Sequence, residues 1–137
     1  MSDKNCLFCK IIAGEIPGSK IYEDEKVFAF LDINPNSLGH TLLCPKEHYE
    51  NTLETPEELL AHLVKIAKKI TPKIVEAIGA DGSNFFINNG ETAGQVIFHT
   101  HWHIIPRFKN DDFQYGGNKP YPAGEEKKVA EKIKQNL

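Results

Sequence analysis

Apolar residues along this chain of 137 residues recur with two different periods, and the changes of period mark the elements. Residues 27–33 (VFAFLDI) and 40–45 (HTLLCP) are short, nearly continuous apolar runs rich in β-formers. The turn-forming run NPNSLG at 34–39 separates them, which predicts two antiparallel neighbours with a short connection. A short strand is expected at 21–23, after a turn at 15–20 punctuated by Pro17 and Gly18. Residues 83–90 (SNFFINNG) predict a strand running into an Asn-Asn-Gly turn, and residues 96–107 (VIFHTHWHIIPR) predict another.

From residue 55 the period becomes helical. Leu59, Leu63, Ile66 and Ile70 fall on one stripe that Ile74, Val75 and Ile78 continue, with Lys65, Lys68 and Lys69 on the wet side. Thr55-Pro56-Glu57-Glu58 has the form of a capping box, with the Thr55 hydroxyl accepting from the Glu58 amide and Pro56 at the first helical position. Pro72 predicts a bend or an interruption, and Gly79 a stop. A helical turn or two ending at Gly14 is expected over 6–14, a loop over 109–124, and a terminal helix over 125–137 with Val129, Ile133 and Leu137 on its apolar stripe. The elements show no regular βαβ rhythm. The expectation is therefore one α+β domain spanning residues 1–137.

Charge and cysteine content narrow the chemistry. Lys plus Arg is 16 and Asp plus Glu is 19, a formal net charge of −3. A non-specific nucleic-acid binder needs a basic face, so none is expected here. A small phosphate-bearing ligand held by local donors is compatible with this balance. No apolar run has the length of a signal peptide or a membrane span, which leads to an expectation of a reducing cytoplasm. In that setting Cys6 and Cys9, a Cys-x-x-Cys, suggest metal binding or redox chemistry, with metal ranked first because the surrounding residues are not those of a thioredoxin-like site. Cys44 is expected in the core, and His62 on the long helix as a surface or packing residue.

The segment with most chemistry is His99-Thr100-His101-Trp102-His103. In a strand, alternate side chains share a face, so the three histidines line one side. Thr100, Trp102 and Ile104 line the other, and Val96 and Phe98 extend that apolar side upstream. Imidazole near neutral pH can be a nucleophile, a general acid or base, or a metal ligand. A solvated polar face and a purely structural metal site remain alternatives. Upstream, NNGETAGQ at 88–95 is rich in glycine and amides, a composition able to present N–H groups to a phosphate.

These blocks together resemble the histidine triad (HIT) family, whose pattern alternates histidine with apolar positions. The resemblance extends over Cys6–Cys9, Gly14-Glu15-Ile16-Pro17, Asp32-Ile33-Asn34-Pro35, Gly39-His40, Pro45-Lys46-Glu47-His48 and Ala93-Gly94-Gln95. The nearest branch is similar to bacterial nucleoside phosphoramidases. The resemblance implies a HIT-like α+β fold: an antiparallel sheet of about five strands, one long helix, short terminal helices and a variable region over 109–137. It also implies a homodimer that hydrolyses purine nucleoside phosphoramidates or related substrates at the α-phosphate.

Within that resemblance His101 is the nucleophile that briefly carries the nucleotide, His103 contacts the phosphate, and His40 supports the cluster. Gln95 and the nearby backbone of Gly94 and Val96 hold phosphate oxygens beside Asn88. Asp32 accepts from the ribose, and Ile33 and Phe8 line the nucleoside pocket. Cys6, Cys9, His48 and His99 are implied as a closed structural zinc site. His103, where nucleotidyltransferases of the family carry Gln, favours hydrolysis. Val96 departs from the pattern, because related phosphoramidases often carry a hydroxyl residue there. A nucleotide-sensing module and a dinucleoside polyphosphate hydrolase are the other functions this resemblance allows.

Overall fold

The computed structural model describes residues 2–114 and 119–137. Its elements are α1 (Leu7–Ile12), β1 (Lys20–Glu23), β2 (Val27–Leu31), β3 (Thr41–Pro45), α2 (Glu57–Ile78), β4 (Gly82–Ile87), β5 (Trp102–Arg107) and α3 (Glu125–Asn136). The five strands form one sheet in the order β1-β2-β3-β5-β4. Every neighbouring pair is antiparallel. The expected α+β architecture is the one observed. Part of the loop expected over 109–124 lies outside the described residues. Among the described residues no helix is long and apolar enough to cross a membrane.

β2 and β3 are buried at every position, and this explains their continuous apolar runs. Alternation divides their side chains between two layers. Val27, Ala29, Leu31 and Leu43 pack with Leu63, Ile66, Ile70 and Ile74 of α2 and with Val129 and Ile133 of α3. Phe28, Phe30, Leu42 and Cys44 point the other way and pack with Cys6, Phe8 and Cys9 at α1. The long helix is therefore scaffold on one face of the sheet, and the functional residues gather on the other.

Three local expectations are corrected. The capping box at Thr55 does not form. Pro56 is the N-cap without a side-chain bond, while the Thr55 hydroxyl donates to the Asn51 carbonyl at 2.8 Å and lies 2.8 Å from the Thr100 hydroxyl. That hydroxyl anchors the histidine segment instead of the helix end. Secondly, Pro72 does not interrupt α2, which runs unbroken to the left-handed Gly79. Pro72 and Lys68 are both exposed, so the carbonyl that loses its donor faces water. Thirdly, the strand expected over 96–107 begins only at Trp102. Upstream of it, Thr100 N–H donates to the Tyr49 carbonyl at 2.7 Å, which draws the chain away from the sheet ladder. Val96 and Phe98 consequently do not extend the apolar face, being 80% and 41% exposed.

Gly39 fixes the approach to His40. Its φ is +81°, and a Cβ there would lie 2.6 Å from Ile78 Cδ1 and 3.3 Å from Pro106 Cγ. Both strain and overlap oppose a side chain at this position. Gly39→Ala is expected to lower the unfolding free energy by about 2 kcal/mol in urea titration; an unchanged midpoint would contradict the close packing of this turn.

Candidate active site and metal centre

Three segments converge on the α1 face of the sheet: the end of β2 with the following turn, the start of β3, and the chain entering β5. Register places His103 opposite Leu42 of β3 and opposite Phe86 of β4. The His103 ring stacks on Phe86 with centroids 4.8 Å apart and planes 15° apart. His101 and His103 have ring centroids 5.0 Å apart, and His40 and His103 5.2 Å apart. His40 and His99 are fully buried, and His101 is 7% exposed.

The hydrogen bonds fix which ring nitrogen carries each proton. A carbonyl can only accept, so His101 Nδ1–H donates to the His99 carbonyl at 2.7 Å, leaving a lone pair on Nε2. Asn36 N–H donates to His40 Nδ1 at 3.0 Å, which puts the His40 proton on Nε2. His40 Nε2 lies 2.9 Å from His103 Nδ1 and donates to it, which puts the His103 proton on Nε2. Neighbouring rings therefore offer opposite functions: a lone pair on His101 and an N–H donor on His103. Burial, aided by the neighbouring His101, pushes His40 down to about 4. Burial with His101 and His40 pushes His103 down to about 3. Burial also lowers His101, opposed by its bond to the His99 carbonyl. The cluster is neutral near pH 7.

A cavity of about 400 Å³ opens onto these rings, within the size range of small-molecule sites. His40, His101, His103, Asp32, Ile33, Phe8, Asn88, Gly94 and Val96, all expected from the sequence, line it. Its far wall is apolar and includes Leu7, Ile11, Ile16 and Pro17. Asp32 accepts from Asn34 N–H at 2.9 Å, its Oδ2 is 4.0 Å from His40 Nε2, and burial raises its carboxyl above the ordinary value.

The structure does not bring the Gln95 side chain to this cavity. Its Oε1 accepts from Gly90 N–H at 2.8 Å, and its Nε2 donates to the Glu50 and Ile97 carbonyls at 2.7 and 3.1 Å. Gln95 shapes the loop that carries Gly94 and Val96. Asn36 and Phe86 were not identified from the sequence. The Asn36 contribution is a backbone amide and leaves no side-chain signal. Phe86 becomes visible only once β4 is paired with β5.

On the other side of Phe8 lies a second cluster. Phe8 meets the His101 and His99 rings edge-on, with centroids 5.0 and 5.9 Å apart. The ligand atoms of Cys6, Cys9, His48 and His99 all lie within 4.8 Å of one another. His99 Nδ1 is 3.4 Å from Cys6 Sγ, 3.5 Å from Cys9 Sγ and 3.2 Å from His48 Nδ1, while Cys9 Sγ is 3.5 Å from His48 Nδ1. A tetrahedral ion with S ligands at ~2.3 Å and N ligands at ~2.0 Å would set S···N near ~3.5 Å and N···N near ~3.3 Å. The residues fit such an ion. His99 Nε2–H donates to the Pro45 carbonyl at 2.8 Å, which fixes the Nδ1 lone pair toward the cluster. This Cys₂His₂ group can hold a metal ion.

The antiparallel sheet, the alternating histidines and the facing cavity define a histidine triad domain. Residues 13–110 match the family model of the HIT domain, and the chain belongs to the HIT family. It is 50% identical over 107 residues to the adenylylsulfatase HINT3 of Arabidopsis thaliana, spanning 78% of this chain and 54% of that protein. Among solved structures it is similar to a hypothetical histidine triad nucleotide-binding protein of Sulfolobus tokodaii, with a TM-score of 0.87, 44% identity, and coverage of 96% of this chain and 91% of that one. It is also similar to a zinc-bound histidine triad family protein of Mycobacterium smegmatis, with a TM-score of 0.88, 34% identity, and coverage of 96% and 92%.

The purified wild-type chain is expected to carry about one divalent ion by elemental analysis, and Cys6→Ser/Cys9→Ser to carry none and melt at lower temperature. Equal metal content in the two proteins would remove the cluster as the binding site.

Proposed function

We propose that this protein is a nucleotide hydrolase acting at the α-phosphate of purine nucleoside phosphoramidates or related nucleotidyl substrates. The observation that carries the reading is the opposed protonation of adjacent rings, a lone pair on His101 Nε2 beside an N–H on His103 Nε2, both at the cavity. A neutral imidazole attacks phosphorus without a separate base, because the proton it keeps is already held by the His99 carbonyl. Charge developing on the phosphate oxygens then meets the His103 N–H. The apolar wall suits a flat base, and Asp32 an adjacent ribose. The adenylylsulfatase relative supports chemistry at a nucleotidyl phosphorus, with adenylyl sulfate among the related substrates.

The ion we infer for Cys6, Cys9, His48 and His99 is zinc, in a structural role. When bound it supplies a fixed cross-link between α1 and the chain entering β5. All four donors are protein groups, so no position is left for substrate. The residues' own part is positional: His99 holds the carbonyl to which His101 is tied. We also propose a homodimer. β4 is the outermost strand of the sheet on its side, with Phe85 exposed, so a second copy can pair along that edge.

A second reading, a nucleotide-sensing module with slow turnover, draws on Val96. It lines the cavity, is 80% exposed, and offers no hydroxyl to a phosphate or leaving group. The two readings separate on one variant. His101→Ala is expected to reduce hydrolysis of adenosine phosphoramidate by about 1000-fold or more while retaining mononucleotide affinity. The wild type is expected to yield a trapped nucleotidyl-protein during turnover. Unchanged turnover in the variant would overturn the assignment of His101.

A further inference from the structure

The turn between β2 and β3 carries His40, and it is held in part from outside the sheet. Within the turn, Asp32 N–H donates to the His40 carbonyl, His40 N–H to the Ser37 carbonyl and Asn36 N–H to His40 Nδ1, each at 3.0 Å. Gly39 is bonded differently. It is buried, and among the described residues its N–H has one acceptor, the Tyr121 hydroxyl oxygen at 3.0 Å. Tyr121 belongs to the segment that leads into α3. The same segment makes a second bond to the turn, from Lys119 N–H to the Pro35 carbonyl at 3.1 Å. Glu126, in the first turn of α3, ties the far end of that segment down by accepting from the Ser19 hydroxyl. The Tyr121 ring packs against the apolar core. Burial first, then Glu126 and Asp32, raise its phenol, against the Gly39 bond. The oxygen that Gly39 meets is therefore a neutral acceptor.

What depends on the turn is the choice of partner for His40. Its Nε2–H has two acceptors at hand, His103 Nδ1 at 2.9 Å and the Asp32 Oδ2 at 4.0 Å. An ionised carboxylate is the stronger acceptor of the two, so geometry has to favour His103. Asp32 is fixed by Asn34 N–H at 2.9 Å, which leaves the placement of His40 to decide. A displacement of His40 toward Asp32 exchanges the partners. His103 Nδ1 then has no donor, and nothing keeps the His103 proton on Nε2. In part of the molecules that ring would then show the cavity a second lone pair beside that of His101. Gly39 directly precedes His40. A buried N–H without an acceptor is costly, so a turn that loses the Tyr121 oxygen has reason to rearrange.

We propose that Tyr121 is a positioning residue for the histidine cluster: by holding the Gly39 amide it keeps His40 Nε2–H on His103 and away from Asp32. Tyr121 does not line the cavity, so it acts through Gly39 and His40. The proton placement stands on these contacts alone, whereas its effect on rate rests on the nucleotide-hydrolase reading.

The test compares two variants with the wild-type chain. Tyr121→Phe keeps the ring and removes the acceptor. Val129→Ala thins the core between α2 and α3 and leaves the Gly39 bond in place. Both are followed by thermal melting, by nitrogen NMR of the His103 ring and by hydrolysis of adenosine phosphoramidate at a temperature where they are folded. Tyr121→Phe is expected to draw the two His103 nitrogen shifts toward each other, the pattern of mixed tautomers. Its kcat is expected to fall by about tenfold, with KM within about twofold of wild type. Val129→Ala is expected to melt lower with wild-type shifts and kcat. Wild-type His103 shifts in Tyr121→Phe, or an unchanged kcat against an active wild type, would overturn the proposal. The same changes in Val129→Ala would overturn it too, because they would follow from lost stability. Mixed tautomers in Tyr121→Phe alone, with no hydrolysis by the wild type, would support the placement of His40 and remove the nucleotide-hydrolase reading. Should Tyr121→Phe not fold, hydrogen exchange at the wild-type Gly39 amide decides. Protection like that of the β3 amides supports the bond to Tyr121, and exchange at the rate of a solvent-exposed amide overturns it.

Discussion

The 2.7 Å hydrogen bond from His101 Nδ1–H to the His99 carbonyl is the contact on which the site depends. It decides that the nitrogen facing the cavity bears a lone pair and not a proton. Its acceptor belongs to the residue whose side chain points into the Cys₂His₂ cluster, so one short stretch of backbone joins the metal-binding corner to the reactive ring. His99 is held in turn by the Pro45 carbonyl, at the end of β3. Thr100, between the two histidines, is fixed by Tyr49 and Thr55. Each of these contacts uses a backbone carbonyl or a buried hydroxyl, groups that hold one orientation without titrating.

The two layers of the sheet have different origins of stability. The α2 and α3 side is an ordinary apolar core of Leu, Ile and Val. The α1 side combines three phenylalanines, Phe8, Phe28 and Phe30, with three buried thiols, and α1 itself has six residues. A helix that short has little intrinsic stability, so tertiary contacts must hold it. Metal ligation by Cys6 and Cys9 would supply such a contact, and Phe8 between them packs against both His99 and His101. Metal binding and the shape of the reactive corner are thus coupled through α1.

Most of the fold was legible because burial writes itself into apolar periodicity. The fully buried β2 and β3 gave unbroken apolar runs, and α2 gave a helical stripe that faces the sheet. Seven of the positions where sequence reasoning placed reactive or ligand-bearing histidine and cysteine side chains converge as two neighbouring clusters: His40, His101 and His103 at the cavity, and Cys6, Cys9, His48 and His99 at the metal corner. What stayed hidden were competitions between local and tertiary bonds. Thr55 has the right spacing for a cap, but the histidine segment claims its hydroxyl. Gln95 has the right neighbours for a phosphate contact, but three backbone groups of its own loop and of residue 50 occupy its amide. The strand before Trp102 has the right alternation, but Tyr49 takes the Thr100 amide. In each case residue type and spacing were compatible with two partners, and the partner chosen lies far away in sequence or on the backbone.

Nitrogen NMR of histidine-labelled protein near neutral pH, with ring nitrogens assigned through His→Asn variants, reads the proton positions directly. His101 is expected to be protonated on Nδ1 with a lone-pair shift on Nε2, and His103 to show the reverse pattern. A His101 protonated on Nε2, or carrying protons on both nitrogens, would contradict the opposed arrangement from which the chemistry follows.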